Sequence, residues 1–427
     1  MVILLHCLRR IYQEADDIHH LPMANYANSR PHMTANTLQL QTGLRMTEID
    51  AAAWNRLVVG KSPFVQHEFL LALERSGSVG EGTGWEPCHV GVFENGQLIA
   101  AMPLYVKHHS YGEYVFDWSW ADAWRRHGLP YYPKLVSAIP FTPSQSPRLL
   151  ARDSQTAGRV MQCVYDAVTA LARQNGYSSW HILFPDAESA KALESAELIR
   201  REAVQFHWYN QNYSSFEDFL LACSSRKRKN LRKERHDVAA QGFCFERLTG
   251  AQLTPQVWDR FYVFYQNTYQ VRGQYGYLTR EFFTQLHSAM PDQVFLIMVS
   301  HQQRNEYVAG ALFLKDRKTL YGRYWGCEQD YQNLHFETCY YQGIDICIAE
   351  GLQRFDAGAQ GEHKLRRGFV PVTTCSWHWI ADPAFARAIR DFCQQERAYM
   401  QAYREQAASQ LPFKVDAQGL SMIKEDS

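Results

Sequence analysis

One order of elements occurs twice along this chain, and that constrains its fold more than any single motif. In the first occurrence, residues 89–93 and 97–107 read as strands joined at Asn95-Gly96. An Asn-Gly pair between two strand-like runs specifies a tight hairpin, because both central residues need positive φ. An aromatic, irregular region over 111–147 follows, then a helical stretch over about 155–175 stopped by Gly176. The apolar run 180–184, ended by Pro185, reads as a buried strand. In the second occurrence, helical segments 216–241 and 254–271 precede strands at 294–300, 307–314 and 320–326. A helix over 334–350 and a short strand over 354–356 complete it. Helix, antiparallel strands, helix, strand, met twice, predicts two α+β modules of roughly 170 to 200 residues each.

Length agrees, since 427 residues exceed what one core usually organises. The boundaries expected are a disordered leader or over-extended start at 1–44, modules at 45–205 and 206–400, and a tail at 401–427. Two internal methionines, Met23 and Met33, favour the over-extended start. Lys+Arg 44 against Asp+Glu 44 gives no net charge, which argues against a surface given over to nucleic acid and leaves room for a local basic patch. The ten cysteines include no CxxC pair, so neither a zinc ribbon nor a thioredoxin-type site is indicated. The apolar run 2–5 is too short for a signal peptide, and no later run approaches the roughly 20 apolar residues of a membrane-spanning helix. A soluble, cytoplasmic protein without integral membrane association is expected.

The densest chemistry lies after the strand ending at Asp356. Gly358 and Gly361 free the backbone, and Glu362, His363, Lys364, Arg366 and Arg367 crowd one short loop. Close-packed acids and bases at a strand end push each other's pKa values apart, which marks a candidate site; a solvated charged loop is the plain alternative. On the preceding helix, Phe336, Tyr340, Ile344 and Cys347 face the core, while Glu337, Tyr341 and Asp345 share a neighbouring face. His335 and Glu337 fall in its first turn, where a carboxylate either complements the helix dipole or serves as a base near a cleft. The run 226–235 packs seven positive charges into ten residues, either an exposed helix or a grip on phosphate. Arg323, on a strand with Tyr321 and Tyr324, is a further candidate cleft cation. In the first half, Trp118, Trp120 and Asp122, with Tyr131, Tyr132 and Lys134, mix aromatic planes and charges suited to an extended ligand. Core packing explains most of those tryptophans. His207-Trp208 and His378-Trp379 read as structural echoes between the halves. No GxSxG elbow, HExxH helix or P-loop is present, and no residue pattern calls for a metal.

Trp118-Ser-Trp-Ala-Asp, Tyr131-Tyr-Pro-Lys-Leu, Gln205-Phe-His-Trp, Ser224-Ser-Arg-Lys-Arg-Lys-Asn, Tyr321-Gly-Arg-Tyr-Trp-Gly-Cys, Leu334-His-Phe-Glu and Gly358-Ala-Gln-Gly-Glu-His-Lys together resemble one family. It is the bacterial Fem-like group of N-acyltransferases, related to peptidoglycan-bridge aminoacyltransferases and built from tandem GNAT-like folds. The resemblance covers roughly residues 45–400. It implies two GNAT-like domains, each a mixed, mostly antiparallel sheet flanked by helices. It also implies transfer of an acyl or aminoacyl group to an amine, with an acceptor among peptidoglycan or cell-envelope precursors.

On that reading Glu337 or Glu362 is the base, His335 or His363 the relay, and Tyr341 a proton donor to the leaving group. Asp356, Lys364, Arg366, Arg323, Trp118, Trp120, Asp122 and Lys134 would bind substrate. Arg226, Lys227, Arg228 and Lys229 would hold a phosphate-bearing donor. The glycine-rich turn that cradles the CoA pyrophosphate in a conventional GNAT has no clean copy here. The donor therefore stays open between acyl-CoA and aminoacyl-tRNA, with tRNA a partner in the second case. The alternative class is a non-catalytic binder of a cell-wall precursor or RNA. Oligomeric state is open.

Overall fold

The computed structural model describes residues 38–414 except 59, 61, 305 and 360. The first half begins with β1 (Leu38–Leu44), α1 (Ala51–Arg56) and α2 (His67–Arg75). β2 (Trp85–Pro87), β3 (His89–Glu94), β4 (Gln97–Met102) and β5 (Tyr105–Lys107) follow. Next come α3 (Trp118–Arg126), β6 (Lys134–Ser137), β7 (Leu150–Ala151), α4 (Ser154–Gln174), β8 (Ser179–Leu183), α5 (Ala187–Leu193) and β9 (Ile199–Tyr209). The second half contains α6 (Phe216–Ala222), α7 (Ser225–Ala240), β10 (Phe243–Thr249), α8 (Pro255–Gln270) and α9 (Arg280–Ala289). β11 (Val294–His301), β12 (Glu306–Lys315) and β13 (Thr319–Cys327) form its meander. Helix α10 runs Leu334–Phe336, passes through a π turn at Glu337–Tyr341 and continues as Gln342–Glu350. β14 (Arg354–Asp356), a 3-10 turn at Glu362–Arg367, β15 (Val370–Ile380) and α11 (Pro383–Ala408) complete the chain.

Local chemistry explains the elements that were legible. Asn95 and Gly96 take φ of 52° and 76°, the positive values the hairpin turn needs. Asp153 caps α4 by accepting from the Thr156 amide at 2.7 Å, and Val160, Met161, Val164, Val168 and Ala172 bury one stripe of it. Three expectations are corrected. The segment 38–44, assigned to the leader, is β1, whose Leu-Gln-Leu-Gln alternation pairs with β3; residues 1–37 lie outside the described ones. The helix expected over 216–241 is broken at Cys223 and Ser224, whose extended backbone separates α6 from α7. The irregular region over 111–147 holds α3 and β6.

Both halves follow one plan: strand, two helices, antiparallel hairpin, strand, helix, strand. Each places one parallel strand pair in an otherwise antiparallel ladder. β6 pairs β8 in parallel across the α4 crossover, and β13 pairs β14 in parallel across α10. The chain thus has the expected tandem GNAT-like architecture. The halves are nevertheless interlocked. In the eleven-stranded sheet the order is β10-β11-β12-β13-β14-β9-β15-β8-β6-β5-β2. β9 of the first half lies beside β14 of the second, and β15 of the second lies beside β8 of the first. The boundary expected at 205/206 therefore falls inside β9, and α11 runs across the one expected at 400/401. The apolar core is shared as well: Phe69 of α2 meets Phe282 of α9 edge-on, 5.6 Å between ring centroids.

Candidate active site

In the second half the parallel pair comes apart. Thr319, Leu320 and Tyr321 pair with Arg354, Phe355 and Asp356, after which β14 ends and β13 runs on to Cys327. Beyond Tyr321 that edge of β13 has no strand partner. The ladder to β12 is bulged just there: Tyr324 faces Leu312 and Gly322 faces Phe313, leaving Arg323 as the extra residue. A bulge re-aims a side chain and increases local twist. Gly326 is required where α8 crosses the strand, because a Cβ there would lie 1.8 Å from the Phe264 carbonyl oxygen.

A cleft of about 730 Å³ opens at this parting. β13 contributes Arg323, Tyr324 and Trp325, α8 contributes 267–270 and the following loop Val271 and Arg272. Glu328, Gln329 and Asp330, His335 of α10, and Tyr114 from the first half complete the wall. A smaller cavity of about 80 Å³ shares Arg323, Tyr324, Trp325 and His335 with it and adds Cys339, Tyr340 and Ala357.

Arg323 and Asp356 organise the base of the cleft. The Arg323 side chain is 2% exposed; its Nη2 donates to Asp356 Oδ2 at 3.0 Å and its Nη1 to the Gly322 carbonyl at 3.2 Å. Its Nε–H is buried with no hydrogen-bond partner. Asp356 also accepts from Ser144 Oγ at 2.8 Å and from the Gly358 amide at 2.9 Å. Burial alone would raise this carboxyl, but Arg323, His207 and those donors outweigh it and hold it well below the usual carboxylate range. His207 lies 4.0 Å from Asp356; burial pulls its pKa down to about 4, so the ring is neutral. Lys364 is buried, and its Nζ donates to the carbonyls of Ala357 and Gly358, both at 2.8 Å. Burial, with Arg323 acting in the same direction and Asp356 against it, brings its pKa down to about 7. His335 is pulled down to about 3, first by burial and then by His363, Lys364 and Arg367. The cleft is therefore lined by a neutral imidazole and a guanidinium.

Of the residues picked out from the sequence, His335 and Arg323 line the cleft, with Asp356 and Lys364 directly behind. His363 sits next to them: its Nε2 is 2.8 Å from the Tyr340 hydroxyl and its ring 6.0 Å from that of His335. Glu337 does not face the cleft. It is buried and accepts from Arg235 Nε at 3.1 Å and Nη2 at 2.8 Å, and from Gln342 at 2.9 Å. Arg235 also holds Asp345 at 2.7 Å, and the Tyr341 hydroxyl donates to Glu234. The face shared by Glu337, Tyr341 and Asp345 exists, but it docks α7, so these groups anchor a helix rather than carry a proton. Glu362 is exposed and accepts from the Tyr403 hydroxyl at 2.7 Å, and Arg366 is exposed.

Of the first-half candidates, Lys134 and Trp120 belong to the core, whereas Asp122 and Trp118 lie at the surface. Lys134 is fully buried, donating to Ser110 at 2.8 Å, Glu113 at 2.9 Å and Asp117. Trp120 packs edge-on against His378 with 4.9 Å between ring centroids, and Asp122 pairs with Arg125 at 2.9 Å. Trp118 is exposed. Arg226 to Lys229 form the first turn of α7, and none has an acidic partner within salt-bridge distance among the described residues. Sequence reasoning missed Tyr114, Ser144 and the end of α8; Ser144 and Tyr114 come from the region read as irregular, where no periodicity announces a role.

The sequence matches the FemAB-like family model, described as peptidoglycan biosynthesis/recognition, over residues 45–415. The chain belongs to the FemAB-like family. Among solved structures it is similar to FemX, at 10% identity over 80% of this chain and 98% of that one, with a TM-score of 0.50. A tandem GNAT protein from the clavulanic acid biosynthesis pathway matches at 10% identity over 81% of this chain and 99% of that one, with a TM-score of 0.38. L-PGS from Bacillus licheniformis matches at 10% identity over 77% and 95% of the two chains, with a TM-score of 0.44. No curated protein sequence matches. Membership links this chain to peptidoglycan biosynthesis or recognition. No helix among the described residues is long and apolar enough to cross a membrane.

Proposed function

We propose that this FemAB-like protein transfers an acyl or aminoacyl group to an amine in the second-half cleft. The observation that carries the reading is the parting of β13 from β14 beside a cleft that holds both His335 and Arg323. A free amine of pKa near 10 is mostly protonated at neutral pH, and its nitrogen must lose a proton to attack. The ammonium first releases one proton to solvent, and His335, neutral and in the wall, then takes a second from the nitrogen as it bonds to the donor carbonyl carbon. The oxygen of the resulting tetrahedral centre accepts from Arg323 Nε–H and from unpartnered β13 amides. Collapse breaks the bond to the leaving thiol or hydroxyl, which recovers the proton from His335. Asp356 fixes the Arg323 guanidinium, and Lys364 sets the local positive field. The donor, acyl-CoA or aminoacyl-tRNA, carries phosphates for which Arg226, Lys227, Arg228 and Lys229 are the proposed grip.

The test begins with thermal shift against acyl-CoAs and charged tRNA at fixed salt, since a ligand of the folded state raises the melting temperature. With the donor that shifts it, His335→Gln is expected to lower kcat by about 10²- to 10⁴-fold with the fold intact. Full turnover by that variant would remove His335 from the chemistry. A folded protein that binds no donor would favour a non-catalytic binder.

A further inference from the structure

The smaller cavity, of about 80 Å³, adjoins the cleft: Arg323, Tyr324, Trp325 and His335 line both. Its other walls are β12, α10 and Ala357, the residue just past the end of β14, so it fills the angle where β13 leaves β14. Leu312, Phe313 and Trp325 make it apolar, while Ala311, Gly322 and Ala357 add little bulk. A cavity of ~150 Å³ accommodates benzene, so this one has room for about three carbon atoms.

The polar groups around the cavity are neutral or cationic. The Tyr324 hydroxyl donates to the Phe141 carbonyl at 3.1 Å, and the Tyr340 hydroxyl is 2.8 Å from His363 Nε2. Burial pushes the Cys339 thiol up, which keeps it protonated. Arg323 is the charge in the wall, and Lys364 and Arg367 act on His335 with the same sign. Among the described residues no carboxylate lines this cavity. Asp356 is engaged by Arg323, Ser144 and the Gly358 amide, and Glu337 is turned to Arg235 and Gln342. Glu328 and Asp330 line the larger cleft only. Glu328 is shared by Arg260 and Arg304, and Asp330 is exposed, so the acids stand at the outer end, where an amine acceptor would enter.

We infer that this cavity selects the transferred group: an uncharged acyl chain of up to about three carbons beyond its carbonyl, and not an aminoacyl group. The inference rests on the acyl-transfer reading, which sets the donor carbonyl between His335 and Arg323 and leaves the chain behind it to enter the cavity. An apolar chain gains by leaving water there. An ammonium would lose its water with no counter-ion to meet it and a guanidinium alongside. The N–C bond that forms and the C–S or C–O bond that breaks are unchanged, and the cavity specifies only the group between them.

Equilibrium binding to pairs of donors that share a carrier tests it on the full chain. On coenzyme A the pair is butyryl against β-alanyl, which differ by a methyl in place of an ammonium. On tRNA it is lactyl against alanyl, a hydroxyl in place of an ammonium. On the carrier that binds, the uncharged member is expected to be held at least about tenfold more tightly. Cys339→Leu, which puts bulk into the cavity, should weaken that member at least about tenfold, whereas Cys339→Ala should not. Both variants should bind bare coenzyme A or uncharged tRNA as the parent does, which separates a filled cavity from a damaged fold. A charged member bound as tightly as its uncharged partner overturns the inference and leaves acyl transfer standing. So does a Cys339→Leu chain with undiminished affinity, or equal losses in both variants. A folded chain that binds none of the four donors removes the acyl-transfer reading and this inference with it.

Discussion

Each half sets a guanidinium beside the end of its parallel strand pair, Arg148 from a loop and Arg323 from β13 itself, and the two are used in opposite ways. In the first half β6 pairs with β8 through Leu135, Val136 and Ser137, and the chain then leaves toward β7. Arg148 lies in this gap, with no exposed surface. Its Nε donates to the Leu183 carbonyl at 2.6 Å, and its two other nitrogens reach the carbonyls of Ser144 and Ser146 at 3.0 Å, that of Pro147 at 3.3 Å, and Ser146 Oγ at 2.5 Å. In the second half Arg323 keeps one N–H unpaired and lines an open cleft. One parting is sealed by its own side chain and the other is left for a ligand. Function within a duplicated fold is thus a matter of which gap the chain fills for itself.

The strand exchange sets the largest expected effect. Cutting the chain in the loop between β9 and α6 and producing the pieces separately should give two fragments that do not fold. Each lacks a strand that its sheet needs, since β9 separates β14 from β15 and β15 separates β9 from β8. Co-production should restore one soluble complex. Circular dichroism of the isolated fragments checks this, and a cooperatively melting single half would break the claim of interlocking.

Arg148→Met sharpens the contrast between the guanidinium groups. It strands several buried oxygen acceptors, and the expected loss of stability is about 3 to 5 kcal/mol. Arg323→Met strands the buried Asp356 carboxylate, so it should also cost about 3 to 5 kcal/mol, but only this change should abolish turnover in the fraction that stays folded. Urea titration beside initial rates separates the two, and equal turnover losses per folded molecule would erase the distinction.

A pH series probes the buried charges of the first half. Burial, with Asp117 acting in the same direction and Lys134 against it, raises the Glu113 pKa from 4.5 to about 7. Between those values the folded chain holds a proton that the unfolded chain releases, so this group's contribution to stability falls as pH rises from 4.5 to 7. Burial lowers Lys107 from 10.5 to about 7, where Glu113 opposes and Lys134 adds to the shift. Across 7 to 10.5 the unfolded chain binds the extra proton, and the Lys107 contribution grows with pH. Melting temperature should therefore dip near neutrality, and Glu113→Gln should flatten the acidic limb. A variant curve parallel to that of the parent would contradict the assignment.

Local codes were legible and long-range pairings were not. The Asn95-Gly96 turn, the capped stripe of α4, and the strands of the second meander follow from neighbours in sequence, and they emerge as expected. The two faces of α10 were likewise readable from helical spacing. The partner of Glu337 was not, because Arg235 stands 102 positions away and an acid awaiting a buried arginine looks like an acid awaiting a substrate. The exchange of β9 and β15 depends on pairing across some 170 residues, which no periodicity encodes. Lys134 failed as a ligand residue for the same reason: its partners Glu113 and Asp117 lie in a stretch without regular pattern, and burial cannot be read from charge.

The sealed gap also supports the open one, through a chain of contacts that joins the halves. Arg148 Nη2 holds the Ser144 carbonyl at 3.0 Å, Ser144 Oγ donates to Asp356 at 2.8 Å, and Asp356 holds Arg323 at 3.0 Å. Ser144→Ala deletes the single bond that crosses from one half to the other in this series. Asp356 keeps Arg323 and the Gly358 amide, so the expected stability loss is only about 1 kcal/mol. Turnover should fall a few-fold, because a less restrained carboxylate lets the guanidinium wander from the position where charge develops. A double-mutant cycle of Ser144→Ala with Arg323→Lys measures the coupling. Additive losses would mean that the first half merely completes the sheet, whereas non-additive losses would show that it also positions the cleft arginine.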